Sequence, residues 1–501
     1  MPIKFEIYRD GNRVTNFAPV AAMAVGPESV PMPGDVTFRD GLLTLTRSDE
    51  HPAGVALLWD TGPLGAYHME TTRLPPRDEP YNLNVELARF RLMKMVQKQE
   101  DWNLFDFPKA ERFNQRFREA QAVFAEALGL LHEPGKAAQI ADQALAVALD
   151  LSDQVAQFHG DLLLNRRRQS NALSKHLFGC RVDSTVINQK YKDTLADNFD
   201  YAVLPMSWKQ LQPEEGQFIT DPVDEWVDLL TRKRIPIIAG PLIDLSDAEV
   251  PDWMFIWEHD FETLRELAYE FVQKVVHRYR RAVSVWNVVG GLHTNSAFTL
   301  SFEQIIELTR LLVSQVKTIL PNARTLVTIK EPFGEYHARG ATSVPPMLYA
   351  EMVAQAGINF DAFGLEIEQG VPTPGGWMRD VFQLSAMLDR FSTIGRPVFI
   401  TSLGVPDRYT PDAGDRTEGK LDPAAAGRWH RPWDVQLQAE WIDEIFKLLL
   451  SKPFVESIAW GNLADINPTV PGGGLLDDML RPKPSFAKIQ ELRDTFARKK
   501  A

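Results

Sequence analysis

The chain has 501 residues, a net charge of -13, 44% hydrophobic residues and a single cysteine. These values predict a globular protein of two or three domains, exclude an intramolecular disulfide framework and argue against nucleic acid as a partner. An apolar run of ~18 residues, as needed to span a bilayer, is absent, so no membrane partner is expected. The N-terminus lacks the apolar stretch of a signal peptide. We therefore expect a cytoplasmic protein, unless a leader has been removed.

Short segments of β type fill residues 1–80. Residues 35–46 form two segments of β type on either side of Asp40-Gly41, which is the pattern of a hairpin with a two-residue turn. Residues 54–59 and 66–72 are rich in β-forming residues and predict further strands. Together these segments predict a small β-sandwich-like module.

Residues 81–173 change to helical periodicity. Three apolar stripes recur at helical spacing, and Pro134-Gly135 separates the second from the third. Such stripes are typical of helices that pack in a core, so this segment is expected to support the β module. The basic run Arg166-Arg167-Arg168 is interpreted as a solvated helix end.

From residue 174 to 501 the pattern alternates between strands and amphipathic helices, which is typical of a parallel sheet with helical crossovers. Eight parallel strands in one such region favour a closed (β/α)8 TIM barrel. The region carries no glycine-rich phosphate loop, so no cofactor is expected. The predicted strands are 178–183, 201–206, 236–242, 283–289, 325–331, 362–368, 398–403 and 456–461.

Short motifs follow these strands in a fixed order. They are Trp208 with Gln212–Phe218, Val250–Trp253, Tyr279 with Trp286–Val289, Phe363–Glu366, Arg396–Thr401, Trp460-Gly461 and Lys483-Pro484. The ordered set resembles glycoside hydrolase family 10, the endo-β-1,4-xylanase type, over residues 174–490. The resemblance implies a TIM barrel that holds an oligosaccharide or polysaccharide at the carboxyl ends of its strands.

Two positions depart from that family. The resemblance places Gly291 where the family has its acid/base glutamate and Ser402 where it has its nucleophile. Retaining hydrolysis needs two carboxyl groups about 5–5.5 Å apart, and neither residue supplies one. We therefore expect a pseudoenzyme that binds carbohydrate without the family's retaining hydrolysis.

Other polar residues near the strand ends leave an alternative open. Glu331 and Glu366 form a candidate relocated catalytic pair, which would make the protein an active glycosidase. Candidate substrate-binding residues, chosen for their position or for a ring that can stack on a sugar, are Trp208, Asp244, Glu368, Trp460 and Asp465.

Three further interpretations carry less support from the residues. Asp244 and Asp465 could contribute to a divalent-metal site, but no histidine stands at a clear spacing, and no metal is expected. His293 is either a general base or an exposed loop histidine. A purely structural role is the remaining alternative. The long loop 405–433 is a candidate lid, and the sugar, the linkage and the oligomeric state stay open.

Overall fold

A computed structural model describes residues 2–104, 107, 110–246, 248–340, 342–409, 415 and 417–496. In it the N-terminal part of the chain contributes to two larger sheets and a separate two-stranded one. The hairpin predicted around Asp40-Gly41 is confirmed, and both turn residues have the positive φ that such turns require. The strands of this part are β1 (Ile3–Glu6), β2 (Tyr8–Arg9), β3 (Asn12–Arg13), β4 (Met23–Val25), β5 (Pro31–Met32), β6 (Asp35–Arg39), β7 (Leu42–Thr46), β8 (Gly54–Asp60), β9 (Gly65–Glu70) and β10 (Tyr81–Asn82).

One sheet has the order β10-β1-β7-β6, and the other contains β9, β8, β4 and β5 as neighbours. The alternating residues of β1 and β7 that face inward belong to the same hydrophobic core as the inward residues of β8. The two sheets therefore pack as one module.

Three helices connect this module to the rest of the chain: α1 (Leu83–Asp101), α2 (Glu111–Gly129) and α3 (Pro134–Gln169). The interpretation of Arg167 as part of a solvated helix end is wrong. Its side chain is buried, and it donates to the carbonyl oxygens of Leu450 and Lys452 at 2.7 Å each and of Val455 at 3.1 Å. Arg167 thus holds the end of α3 against residues 450–455, where the last strand of the barrel begins.

Eight parallel strands form a closed barrel, as predicted. They lie within one or two residues of the predicted segments at most ends, but the third is shorter and the fifth ends at Ile329 instead of at residue 331. In order around the barrel they are β11 (Phe178–Arg181), β12 (Tyr201–Leu204), β13 (Ile237–Ala239), β14 (Val285–Gly290), β15 (Arg324–Ile329), β16 (Ala362–Glu368), β17 (Val398–Gly404) and β19 (Val455–Trp460).

Helices surround this barrel, and a cluster of buried side chains from six of its strands fills the interior. Within the described ranges no helix is both long and apolar enough to cross a membrane. The helices are α4 (Gln189–Asn198), α5 (Trp208–Leu211), α6 (Asp221–Lys233), α7 (Phe261–Tyr279), α8 (Phe302–Ile319), α9 (Pro346–Gln355), α10 (Val381–Ser392), α11 (Val435–Ser451) and α12 (Pro484–Phe496).

The loop after β17 returns to the N-terminal module. Its short strand β18 (Arg428–Trp429) pairs antiparallel with β9 and becomes the fifth strand of the second N-terminal sheet. Arg428 also forms an ion pair with Asp60 at 2.6 Å. Domain boundaries near residues 80 and 173 remain a prediction. The second N-terminal sheet crosses both, because it joins strands of residues 23–70 with the strand 428–429.

Candidate functional site

A shielded lysine lies at the carboxyl ends of the barrel strands. Lys330 directly follows β15, and its ammonium group forms an ion pair with Asp244, in the loop after β13. The same nitrogen lies 4.0 Å from the carboxylate of Glu366 on β16. The side chain of Asp244 has no exposed surface, while those of Lys330 and Glu366 are 21% and 16% exposed. We call Asp244, Lys330 and Glu366 the lysine cluster.

The charges of the lysine cluster act on one another. Burial alone would lower the pKa of Lys330, but the carboxylates of Asp244, Glu366 and Glu249 outweigh it, so the pKa lies above its ordinary value. Burial raises the pKa of Glu366, and the neighbouring cations Lys330 and Arg181 oppose part of that rise. Lys330 is therefore a fixed cation at neutral pH and not a free amine that could attack a carbonyl group.

Lys330 also fills the space next to Gly291, just past the end of β14. A Cβ atom on Gly291 would lie 2.9 Å from Cδ of Lys330, and the backbone there has a φ of +62°. A Cβ atom on Gly290 would lie 2.8 Å from the ring of Pro241. Any side chain at this strand end would therefore require Lys330 or Pro241 to move.

On the opposite side of the mouth, Ser402 lies on β17 and is buried. Its hydroxyl donates to Oε1 of Glu368 at 3.3 Å, and Thr469 donates to the same oxygen at 3.0 Å. Glu366 and Glu368 stand two residues apart on β16, so both point to the same side of the strand. The structure thus brings Glu366, Glu368 and Asp244 to one end of the barrel.

Glu331 has a different setting from the one predicted. Because β15 ends at Ile329, Glu331 lies outside the strand, with a φ of +46°. Its side chain packs beside Gly375 in the loop after β16, and the neighbouring Lys330 lies 4.0 Å from Glu366. A catalytic pair of Glu331 and Glu366 stays a prediction.

Asp465 joins the loops after β17 and β19. Its Oδ2 atom contacts Lys483 at 2.6 Å and also accepts from Arg408, while Oδ1 accepts a hydrogen bond from the backbone N–H of Gly474 at 2.7 Å. Lys483 pairs in turn with Asp407 at 2.7 Å. Burial raises the pKa of Asp465 against the opposing charge of Lys483. This network fixes the two loops to each other.

The two tryptophans proposed to hold a sugar lie in the protein core. Trp460 is fully buried, donates from Nε1 to the carbonyl of Gly473 at 2.8 Å and packs near Trp441. Trp208 is 1% exposed and stacks on Phe271. Neither ring has an accessible face, so the structure favours a core role over sugar stacking for both.

His293 is fully buried, so its expected exposure is wrong. Nε2 donates to the carbonyl oxygen of Lys330 at 2.9 Å, and the ring stacks on Tyr349. Burial lowers the pKa of His293 to about 4. A neutral imidazole thus holds the backbone of Lys330 in place.

The two aspartates considered for a divalent-metal site belong to two different ion pairs. Asp244 is paired with Lys330, and Asp465 with Lys483. Among the described residues, no group of three or more His, Cys, Asp or Glu side chains is arranged to hold a metal ion. The candidate lid 405–433 lies partly outside the described residues, at 410–414 and 416.

A polar pocket of about 310 Å³ lies beside the lysine cluster, at the ends of β11, β12 and β19. Asn467 donates to Asp183 at 3.0 Å, and Asn462 donates to Thr469 at 2.9 Å. Thr469 also contacts Glu368, so the pocket and the lysine cluster share one mouth. The residues that carry its polar groups are Arg181, Asp183, Ser184, Thr185, Gln210, Asn462, Asn467 and Thr469.

The sequence interpretation missed this pocket and Lys330. A signal for the pocket was present, because Asp183 ends a predicted strand and Ser184-Thr185 and Asn462 directly follow predicted strands, where barrel enzymes place their functional residues. Lys330 had no comparable signal, since its partner Asp244 is far away in the chain.

Part of the barrel is similar in sequence to a known family of enzymes. Residues 168–319 match the family described as Glycosyl hydrolase family 10. Endo-1,4-beta-xylanase B of Thermotoga neapolitana is 22% identical over 307 residues, which are 58% of this chain and 78% of that protein. Endo-1,4-beta-xylanase 2 of Aureobasidium pullulans is 24% identical over 220 residues, 42% of this chain and 58% of that protein.

Among solved structures, xylanase 10B of Thermotoga petrophila RKU-1 in complex with xylobiose aligns with a TM-score of 0.49 at 18% identity, over 65% of this chain and 95% of that one. The family match over residues 168–319 and the closed eight-stranded barrel support a barrel of the xylanase type of glycosyl hydrolase family 10.

Proposed function

We propose that the barrel binds a carbohydrate at its mouth and does not perform the retaining hydrolysis of its family. One observation carries this proposal: the side chain of Lys330 occupies the space next to Gly291, where the family resemblance places the acid/base. A cation held by Asp244 stands there in place of a carboxyl group that can give up a proton.

The second position points in the same direction. Retaining hydrolysis requires a carboxylate that attacks the anomeric carbon and a carboxylic acid that protonates the leaving group. Ser402 offers a hydroxyl, already bonded to Glu368, and a serine hydroxyl does not stabilise an oxocarbenium-like centre as a carboxylate does. The two-carboxylate chemistry therefore lacks both of its groups at the family positions.

The polar pocket supports binding. Its amide, hydroxyl and carboxylate groups both donate and accept, as the hydroxyl groups of a sugar require. Its volume is at the lower end of the roughly 300–1,000 Å³ typical of small-ligand sites. Since the relatives are named endo-1,4-beta-xylanases, β-1,4-xylo-oligosaccharides are the first ligands to test.

A second candidate function rests on Glu366. Burial raises the pKa of this carboxyl group, and its position at the mouth is that of a general acid. On this alternative the protein is a glycosidase in which Glu366, with Glu331, replaces the family pair. Glu366→Gln would then abolish turnover and leave binding intact, while Glu126→Gln on the exposed face of α2 would change neither.

The test is titration calorimetry of the whole protein with xylobiose to xylohexaose, with chromatographic product analysis of the same samples. Saturable binding of intact sugar is the expected result. Cleavage that Glu366→Gln removes would establish the second candidate instead. Absence of binding to these and to other β-linked oligosaccharides would overturn both and favour a structural role.

A further inference from the structure

A second cavity lies between the N-terminal module and the outside of the barrel. Its volume is about 440 Å³, within the roughly 300–1,000 Å³ range of small-molecule sites. The second N-terminal sheet, α1, α9 and α10 form its walls. The residues that line it differ from those of the polar pocket at the barrel mouth, so it is a separate site.

The inner walls of this cavity are apolar. Four methionines line them, two from the N-terminal sheet and two from barrel helices, together with aromatic rings from α1 and α10. Methionine side chains are flexible and polarizable, and they adapt to apolar ligands of varied shape. The apolar lining residues are Met23, Val25, Met69, Phe90, Met347, Phe382 and Met387.

Most of the charged groups around the cavity are already paired. Arg91 contacts Asp380 at 2.9 Å, Arg379 contacts Glu335 at 2.5 Å, and Lys98 contacts Asp389 at 3.2 Å. Glu70 pairs with Arg73 at 2.7 Å, and Glu351 is exposed. The paired groups neutralise one another, while Glu351 adds an exposed carboxylate to the cavity lining.

Lys94 is the exception. Its ammonium group contacts the amide oxygen of Gln97 at 3.4 Å, and no carboxylate of the described chain lies within 4.0 Å of it. Burial lowers the pKa of Lys94, and the nearby cations Arg73, Arg390 and Lys98 lower it further, against the opposing charge of Glu70. An anion beside Lys94 would therefore relieve repulsion as well as add an attraction.

Arg390 is a second cation beside Lys94 that lacks a close carboxylate partner in the described part of the chain. Its only ion pair among the described residues joins it to Glu28 at 3.8 Å, and the Glu28 side chain is 83% exposed. So long and so exposed a pair contributes little, and the guanidinium remains able to bind another carboxylate.

A buried nitrogen supplies a third observation. Arg379 is 6% exposed, and its Nη1 has no hydrogen-bond acceptor among the residues that the structure describes. A buried donor without an acceptor is destabilising. An oxygen atom of a ligand or of ordered water in the cavity would complete it.

We propose that this cavity binds a small amphipathic carboxylate, with its charged group at Lys94 and Arg390 and its apolar body against the four methionines. Such a ligand touches the N-terminal sheet, α1 and α10 at once. Binding therefore stabilises the packing of the N-terminal module on the barrel, and the melting temperature rises with ligand concentration.

Octanoate is the probe, with 1-octanol as the uncharged molecule of the same chain length. Calorimetry on the whole protein is expected to show saturable octanoate binding that is about tenfold tighter than octanol binding, and a rise in melting temperature with octanoate. Equal affinity for the two, or no saturable binding of octanoate up to millimolar concentration, would overturn the proposal.

Two variants locate the site. The double variant Lys94→Gln with Arg390→Gln should weaken octanoate binding about tenfold, since partly exposed ion pairs contribute modestly. Octanol binding should be unchanged, because octanol carries no charge. Ala386→Phe, which places a ring in the cavity from the partly exposed face of α10, should weaken both probes. Lys190→Gln on the exposed face of α4 is the matched control. Unchanged octanoate binding in both site variants, each shown to be folded by circular dichroism, would place the ligand elsewhere.

Discussion

The two sides of the barrel mouth differ in how their polar groups are satisfied. On the side of β13 to β16, Lys330, Asp244 and Glu366 pair with one another, and Lys330 closes the space beside Gly291. On the side of β11, β12 and β19, amides and hydroxyls line an open pocket together with Arg181 and Asp183. The difference teaches that paired charges can fill one side of a barrel mouth while the other side keeps a pocket lined by polar groups.

Removing the lysine tests the closed side most strongly. Lys330→Met leaves the fully buried carboxylate of Asp244 without its cation, and we expect a loss of about 3–5 kcal/mol in the free energy of unfolding. Urea unfolding measures it. Lys330→Met with Asp244→Asn should recover at least half of the loss, since the uncompensated charge is then gone.

The matched control for that variant is Lys420→Met. Lys420 and its partner Glu418 are 74% and 77% exposed, so the change should fall within about 0.5 kcal/mol of the parent. A loss below that size for Lys330→Met would mean that the buried pair does not stabilise the closed side.

A methyl group at Gly291 tests the same space from the other direction. Gly291→Ala forces a side chain into a left-handed backbone and against Cδ of Lys330, and we expect about 3 kcal/mol of destabilisation. Gly216 has a similar φ of +74° but open space around it. Gly216→Ala should therefore cost only about 1 kcal/mol, and equal losses in the two variants would show that Lys330 does not crowd Gly291.

The histidine behind Lys330 gives the closed side a dependence on pH. The pKa of His293 is about 4 in the folded state. In the unfolded chain the same imidazole is protonated below about pH 6.5, whereas in the folded chain it stays neutral down to about pH 4. Stability therefore falls as the pH drops from about 6.5 towards 4, by about 2 kcal/mol at pH 5 from this group.

His293→Gln removes that contribution and keeps a donor for the carbonyl of Lys330. Urea unfolding at pH 7 and pH 5 should show a smaller difference for this variant than for the parent. His132→Gln, at a side chain that is 72% exposed, should leave the difference as it is. A parent-like pH dependence of His293→Gln would mean that His293 does not titrate as its burial requires.

The smallest expected effect lies on the open side. Asn467→Ala removes an amide that lines the polar pocket, and we expect oligosaccharide binding to weaken about five- to tenfold. Asn12→Ala, the same change on an exposed strand of the N-terminal module, is the control. Unaltered affinity in Asn467→Ala would move the sugar out of this pocket.

The architecture could be predicted from the sequence because its signals are local. Short apolar segments that alternate with amphipathic helical patterns marked all eight barrel strands, and Asp40-Gly41 marked the N-terminal hairpin. Because both faces of a barrel strand are buried, neighbouring residues along the strand are apolar, and this is visible in the sequence.

The site could be predicted only in part, because it depends on contacts between distant residues. β15 ends two residues earlier than expected, and Lys330, which directly follows it, lies 4.0 Å from the carboxylate of Glu366. The pairing of Lys330 with Asp244 joins loops that follow different strands. Trp208 and Trp460 could not be assigned to the core or to a cleft, since an aromatic residue at a strand end is compatible with both.

The pairing of β18 with β9 has a consequence for how the chain can be divided. Cutting at residue 173 would leave Arg428 and Trp429 with backbone groups that have lost their partners, and would deprive Arg428 of Asp60. The N-terminal sheet would in turn lose its fifth strand and present an unpaired edge. A shortened chain that starts at the barrel is thus a broken piece of a larger folding unit, and a version suited to expression alone would have to replace the 428–429 strand as well.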